Sequence, residues 1–409
     1  MKCKARYCLL TAGLFALGMA SPAFAGQVPD DVKSLKLLVQ KLLEQNQQLA
    51  KRVSQLEKQQ PDHNPPSVKN EDLEQQVTKI LRHKEEERMQ KEDFGHMINR
   101  YVDFSGLIEV EGSAGQDFTG VNESKFELAT VELGFVGKMS DWARAHLTLL
   151  YEEGGDDKVL VDDAHIILGN TDKFPLYLDA GRQYVPFGNF TTNMISDPLT
   201  LEIAETQETA LQIGFKANGA YGSLFAFNGD TNEGGGDSQI EQFGANIGYT
   251  LKRDSLSLDI GMSYMNSIGD SDGLGDILKE KNLLTADYVD GIGAYAIAHV
   301  GPVSLIGEYI TALDDIGDET NFQPMAFNIE TGYAFHIRGL ESSVAIAWQG
   351  TDDMAGYLPE SRFLGSFAIG IFPGTTFAVE WAHDKDYDTA DGGTDESADT
   401  FTGQLAYEF

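Results

Sequence analysis

Between Gly181 and Thr206 the chain reads GRQYVPFGNFTTNMISDPLTLEIAET, a long connection that is unusually apolar and carries acids that could face a constriction. Asp197 followed by Pro198 predicts an N-cap and a first helical position. Glu202 then falls near the positive end of a short helix, and Glu205 and Glu208 follow at three-residue steps. Carboxylate oxygens are the preferred ligands of hard divalent ions, and acids converging on a narrow passage favour cations over anions. Phe190, Ile195, Leu199 and Ile203 are apolar where a surface connection is normally polar, so they are expected to hold the segment against a protein wall. The alternative is an outer flap that packs neighbouring loops together. Arg144, His146 and Arg182 could form a basic counter-wall, with the face of Arg182 left open by ambiguous alternation. No specific metal site, no cofactor and no catalytic residue is expected. His165, His299, His336 and His383 are scattered, and no G-x-S-x-G nucleophile motif accompanies them, which disfavours an enzyme.

Such a segment needs a frame, and from Tyr101 onward the sequence has period two. In 325–337, Phe327, Ile329, Thr331, Tyr333 and Phe335 alternate with Asn328, Glu330, Gly332 and His336. Leu256, Leu258, Ile260, Met262 and Tyr264 repeat the pattern, as do Phe377, Val379 and Trp381. Sixteen such segments, each about ten residues, cover 101–409. Their faces are ambiguous near 164, 180, 294 and 308. Short connections (Ser140-Asp141, Gly301-Pro302, Arg338-Gly339, Pro373-Gly374) alternate with long acidic ones such as 314–319 and 384–396. This is the pattern of an all-β transmembrane barrel of sixteen antiparallel strands, in which closure gives every backbone amide an internal partner. A soluble sandwich would show similar loops at both ends. Leu405, Tyr407 and Phe409 share one face, as a final aromatic-girdle strand would. With strand one running outward, 187–206 is the third long loop, the one that narrows the lumen in sixteen-stranded general porins.

The N-terminal part is different in kind. Lys2, Lys4 and Arg6 precede an apolar run and Ala23-Phe24-Ala25, the three regions of a signal peptide over 1–25. Cys3 and Cys8 lie within it, so the mature chain is expected to hold no disulfide. Val32, Leu35, Val39, Leu42, Asn46, Leu49, Val53 and Leu56 fill successive a/d positions of a coiled coil over 26–60. Asn46 stands at an a position, where a buried amide sets register. Pro61, Pro65 and Pro66 open a linker and charged helical spacer over 61–100. The expected location is the outer membrane of a Gram-negative bacterium, with the coiled coil in the periplasm, where it could contact the cell wall.

Charge is concentrated in the second part. Residues 101–409 hold 14 Lys and Arg against 51 Asp and Glu, a net −37, while 26–100 balance at 13 against 13. Such a surface excludes nucleic acid as a partner. It fits divalent cations, through which acidic loops could bridge lipopolysaccharide above outer-membrane lipid. Sixteen-stranded analogues point to a homotrimer, whereas Val at a and Leu at d favour two strands. An energised receptor is disfavoured, since those have about twenty-two strands and a plug.

The segment GRQYVPFGNFTTNMISDPLTLEIAETQE, residues 181–208, resembles the one shared by LbtU-like siderophore porins of Gram-negative bacteria. The signal peptide, coiled coil and barrel ending in Phe extend the resemblance over the whole chain. It implies passive or facilitated uptake of ferric siderophore and transfers no ligand-contact residue. The competing expectations are a general cation-preferring diffusion porin and a porin whose coiled coil tethers outer membrane to cell wall.

Overall fold

The computed structural model describes residues 101–154, 158–229, 231, 240–281, 288–317 and 322–409. The expected signal peptide (1–25), coiled coil with Asn46 (26–60) and linker (61–100) lie outside the described residues.

Sixteen strands follow one another in the order the alternation predicts. The first eight are β1 (Val102–Gln116), β2 (Asn122–Ser140), β3 (Ala143–Tyr151), β4 (Leu160–Gly169), β5 (Leu176–Tyr184), β6 (Gln207–Ala217), β7 (Ala220–Phe227) and β8 (Gln242–Arg253). The rest are β9 (Leu256–Met265), β10 (Gly291–Val300), β11 (Val303–Ala312), β12 (Met325–Ile337), β13 (Leu340–Asp352), β14 (Ser361–Phe372), β15 (Thr375–Lys385) and β16 (Ser397–Glu408). Each pairs with its chain neighbours, and β1 meets β16 from Leu107↔Glu408 to Gln116↔Asp399, so the sheet is a closed antiparallel barrel. Closure leaves no strand edge unpaired, which is how a sheet removes its exposed amides without another chain. At one end six of the seven connections are two-residue turns and the seventh, between β4 and β5, has six residues; the long connections lie at the other end. At one short turn Asn218 and Gly219 take φ of 53° and 87°, the left-handed pair a two-residue hairpin demands.

Side chains alternate across the wall as period two requires. On β12, Ile329 and Tyr333 face outward and are exposed, while Asn328 and Glu330 between them are buried inside. On β15, Val379 and Trp381 are outside and Glu380 is inside. The ambiguous faces near 164 have a cause: the β3–β4 register shifts between Leu147 and Leu149, and one extra residue turns the following side chains over. Inward tyrosines lie flat across the next strand. A Cβ at Gly248 would come 2.3 Å from the Tyr221 ring, and one at Gly261 would come 2.5 Å from that of Tyr295.

The hydrophobic core is not between sheets but inside the cylinder, toward the long-loop end. Two helices carry much of it: α1 (Leu199–Ala204) in the connection between β5 and β6, and α2 (Asp272–Lys281) between β9 and β10. Leu199, Leu201, Ile203 and Ala204 of α1 join Leu274 and Leu278 of α2, Phe225 and Phe227 of β7, and Met354 and Tyr387 from later loops.

Candidate functional site

The connection between β5 and β6, residues 185–206, leaves the wall and is fixed at mid-height to strands on the far side. At Gly188-Asn189-Phe190 the backbone wraps one carboxylate. Asn189 N–H donates to Glu308 Oε1 at 2.6 Å and Phe190 N–H to Oε2 at 3.1 Å. Gly188 (φ 83°) and Phe190 (φ 58°) are both left-handed. A Cβ at Gly188 would lie 2.4 Å from the Phe190 ring, so only glycine fits this turn. Four residues on, Asn193 N–H and Thr192 Oγ1 donate to Glu330 at 2.8 and 2.7 Å. Ile195 N–H, Ser196 N–H and the Ser196 hydroxyl then donate to Glu380. Glu308, Glu330 and Glu380 stand on β11, β12 and β15, all in the inward register and all at most 5% exposed. A buried carboxylate is tolerable where it accepts several N–H or O–H donors. These three acids therefore latch a loop whose own amides would otherwise be unsatisfied.

The helix start differs from the sequence expectation. Asp197 is not the cap: Pro198 occupies the N-cap position with extended backbone (φ −69°, ψ 146°), and no side chain of the segment caps the helix. The barrel supplies the acceptor instead, since Leu199 N–H donates to Gln349 Oε1 on β13 at 3.2 Å. Phe190, Leu199 and Ile203 pack in the main apolar cluster. Ile195 is only half-buried. Its neighbour Met194 takes the anchoring role, packing with Ala345, Ala347 and Leu364 on β13 and β14.

Glu202, Glu205 and Glu208 differ in placement and burial. Glu202 is half-buried on α1, Glu208 is half-buried on β6 in the inward register opposite Gln183, and Glu205 is only 4% exposed. Glu205 sits at the seam with α2, where Asp272 N–H donates to its carbonyl and Ser271 Oγ donates to the Ile203 carbonyl. Gly273 allows this approach, because a Cβ there would lie 2.1 Å from the Glu202 carbonyl oxygen. Burial, then the nearby Asp197 and Asp272 charges, holds the Glu205 carboxyl well above the usual range. Burial likewise pushes Asp272 up to about 7, against the Gln207 N–H and Arg182 that favour its charge.

The basic counter-wall is also rearranged. Arg144 and His146 share the inward register of β3 with Thr148, whereas Arg182 on β5 shares the outward register of Leu176 and Leu178. Arg182 instead bonds the Asp162 carbonyl and Gln207 at the long-loop end of β4–β6. A second cation at the loop region is Arg362 on β14, bidentate to Asp384 at 2.8 and 2.9 Å, with Glu202 and Glu380 among the charges acting on it. Sequence reading missed Arg362 and the three latch acids. Their signal was polar residues at inward parity between outward aromatics.

On β1 to β5 the inward register carries Glu109, Glu111, Glu132, Asp163 and Asp179 with His146 and His165. Gln404 Nε2 donates to Glu111, Thr148 Oγ1 donates to Asp163 Oδ2, and His165 Nδ1 lies 2.7 Å from Asp179 Oδ1.

No family model matches the chain. It is 30% identical over 301 residues to a UPF0422 protein of Coxiella burnetii (strain RSA 493 / Nine Mile phase I), covering 70% of this chain and 64% of that one. It is 26% identical over 364 residues to UPF0422 protein lpl2888 of Legionella pneumophila (strain Lens), covering 75% and 66%. The chain therefore spans just under two thirds of these relatives' length. Among solved structures, Pseudomonas putida OprB at high pH aligns with TM-score 0.56 and 10% identity over 77% of this chain and 96% of that one. The anion-selective porin from Comamonas acidovorans aligns with TM-score 0.54 and 13% identity over 75% and 99%. The outer membrane channel DcaP of Acinetobacter baumannii gives 0.53 and 14% over 75% and 97%. At these identities the likeness is one of fold: residues 101–409 form a closed sixteen-stranded barrel of the kind seen in outer-membrane porins.

Proposed function

We propose that the protein is a diffusion porin of a Gram-negative outer membrane, with a lumen narrowed by residues 185–206 and an acidic inner wall that favours cations. One observation carries this reading: a loop that starts between β5 and β6 is latched by Glu308, Glu330 and Glu380 on the far side of a closed cylinder. A loop fixed across a lumen leaves a passage between itself and the remaining wall, here β1 to β5, whose inward register carries Glu109, Glu111, Asp163 and Asp179. The Comamonas neighbour is named for anion selectivity; the acids on this wall argue for the opposite preference here. Outward Phe, Trp, Tyr, Leu and Ile side chains, exposed on nearly every strand, support contact with membrane lipid, and the acidic outer loops support bridging to lipopolysaccharide through divalent ions.

The narrower reading is passage of ferric siderophores, supported by the 181–208 segment. An acidic wall would admit cationic or neutral ferric chelates before anionic ones. We propose a homotrimer on the same grounds of fold, with the coiled coil as a periplasmic extension able to touch the cell wall. Reconstitution in planar bilayers with a salt gradient tests the porin, and uptake of labelled ferric chelates into proteoliposomes tests the solute. A cation-sign reversal potential with chelate flux meets both parts. Cation selectivity without chelate flux leaves a general cation-preferring porin, and no conductance from folded barrels removes the porin altogether.

A further inference from the structure

We infer that His146, His165 and Asp163 form an exchangeable station on the inner wall for a divalent transition-metal ion of the zinc, nickel or copper class. The inference rests on the porin reading only for its purpose, not for its chemistry. His146 and His165 are direct cross-strand partners on β3 and β4, with ring centroids 4.9 Å apart. Asp163 lies two residues before His165, on the same face of the same strand.

Each donor is oriented by a neighbour that leaves one atom over. His165 Nδ1 lies 2.7 Å from Asp179 Oδ1. With the ring N–H donated there, Nε2 carries the lone pair. A carboxylate behind an imidazole in this way is the usual arrangement behind a metal-binding histidine. Thr148 Oγ1 donates to Asp163 Oδ2 at 2.7 Å, while Asp163 Oδ1 takes no hydrogen bond among the described residues. His146 Nε2 is shielded and equally without a hydrogen-bond partner among them. His165 Nε2 and Asp163 Oδ1 stand 3.7 Å apart. That is too long for a hydrogen bond and close to the separation of about 3.4 Å expected of two ligands about 2.1 Å from one tetrahedral ion. Imidazole with carboxylate selects zinc, nickel and copper over magnesium and calcium, which take oxygen alone.

Among the described residues no group of three such side chains stands ready to hold an ion, so the inference rests on the His165–Asp163 pair, with His146 beside it as the third donor only if its ring turns toward them. Arg144, two residues before His146 on the same face, weakens cation binding there, and Asp163 and Asp179 oppose it. An open, partly opposed site suits a channel wall, where an ion must bind well enough to enter and weakly enough to leave.

The test is equilibrium dialysis of the detergent-extracted full chain against Zn²⁺ in excess Mg²⁺, beside planar-bilayer recordings of the same preparation. Wild type is expected to bind one more Zn²⁺ per barrel than the His146→Ala/His165→Ala double variant, while His383→Ala, on the outer face, matches wild type. Asp179→Asn keeps all three donors and is expected to weaken binding about 10- to 100-fold, the range for removing a carboxylate behind a metal-bound histidine. Heat-modifiable electrophoretic mobility verifies that each variant is a folded barrel. Should the double variant fail to fold, Asp179→Asn alone decides the matter. Equal Zn²⁺ binding by wild type and variants, or displacement of the ion by Mg²⁺, overturns the site whatever the bilayers show. Binding as expected in barrels that never conduct leaves the site standing and overturns the porin reading.

Discussion

Two stretches of the inner wall carry the same residue type to different ends. On β11, β12 and β15, Glu308, Glu330 and Glu380 each accept backbone N–H or hydroxyl donors from the loop that crosses the barrel. On β1, β4 and β5, Glu111, Asp163 and Asp179 occupy the same inward register, but they meet Gln404, Thr148 and His165, side chains of the wall itself. Parity puts an acid inside; whether it becomes a latch or a lining depends on what another part of the chain offers it. A loop amide has no water-like freedom to leave, so an acid that accepts two of them becomes structural. The acids of β1, β4 and β5 are joined instead to side chains of neighbouring strands.

The comparison breaks most completely if the latches go. Glu308→Ala, Glu330→Ala and Glu380→Ala together remove the acceptors of the Asn189, Phe190, Asn193, Ile195 and Ser196 amides. Each donor left without a partner costs about 1–3 kcal/mol, enough in sum to detach the loop while the barrel, held by its own ladder, still assembles. Single-channel conductance is expected to rise severalfold and become noisy. An unchanged conductance from the triple variant would mean that the loop is not the narrowing element. Next in size is the apolar anchor. Leu199 and Ile203 are fully buried, and truncating either to Ala is expected to cost about 2–5 kcal/mol of local packing. Protease cleavage within 188–200 on intact folded barrels reads it, and Ile195→Ala is expected to have a far smaller effect.

Much of this was legible in the residues and some could not be. Sixteen strands, their order and the alternation of short and long connections follow from period two and from turn residues, both local properties. The apolar character of 187–206 was local too, and it marked the segment that folds inward. Partners across the barrel were not legible. Nothing near Leu199 announces that its N–H will be satisfied by Gln349, 150 residues away, so Asp197 was read as the cap that local rules supply. Glu205 was read as a lining acid because an exposed helix would display it, yet α2 covers it. The face of Arg182 was left open by the alternation, and the structure turns it outward with Leu176 and Leu178. The coiled-coil reading with Asn46 lies outside the described residues.

A smaller effect sharpens the contrast between wall and loop, and it depends on pH. Asp272, on α2 outside the strands, has its carboxyl raised by burial from 3.8 to about 7. An acid whose folded value is raised binds its proton more tightly in the folded seam than in the detached one. Its stabilising effect is therefore complete below about pH 4 and is lost as pH rises through 7. Glu205, raised for the same reason, acts in the same direction. Amides of 203–207 and 272–276 are thus expected to exchange more slowly at pH 5 than at pH 8 after correction for intrinsic rates. Asp272→Asn is expected to weaken that dependence and leave the part carried by Glu205. Protection that increases toward pH 8 in the wild type would contradict the sign and show that Asp272 is held charged.

The smallest change is expected on the lining. Glu109→Gln and Glu111→Gln keep size and leave the loop's hydrogen bonds on β9 to β15 untouched, since both residues stand on β1. Barrel stability and conductance at high salt should stay close to wild type, because the narrowing element is unaltered. Two negative charges are removed from the passage, and at low ionic strength, where the screening length is long, the reversal potential in a salt gradient should move toward zero. The same neutralisation at Glu330→Gln should act in the opposite proportion: little change in selectivity but a looser loop, because Thr192 and Asn193 lose a charged acceptor. If the β1 pair instead alters loop protection, or Glu330→Gln alters selectivity as much as the pair does, lining and latch are one electrostatic unit and the division between the two walls fails.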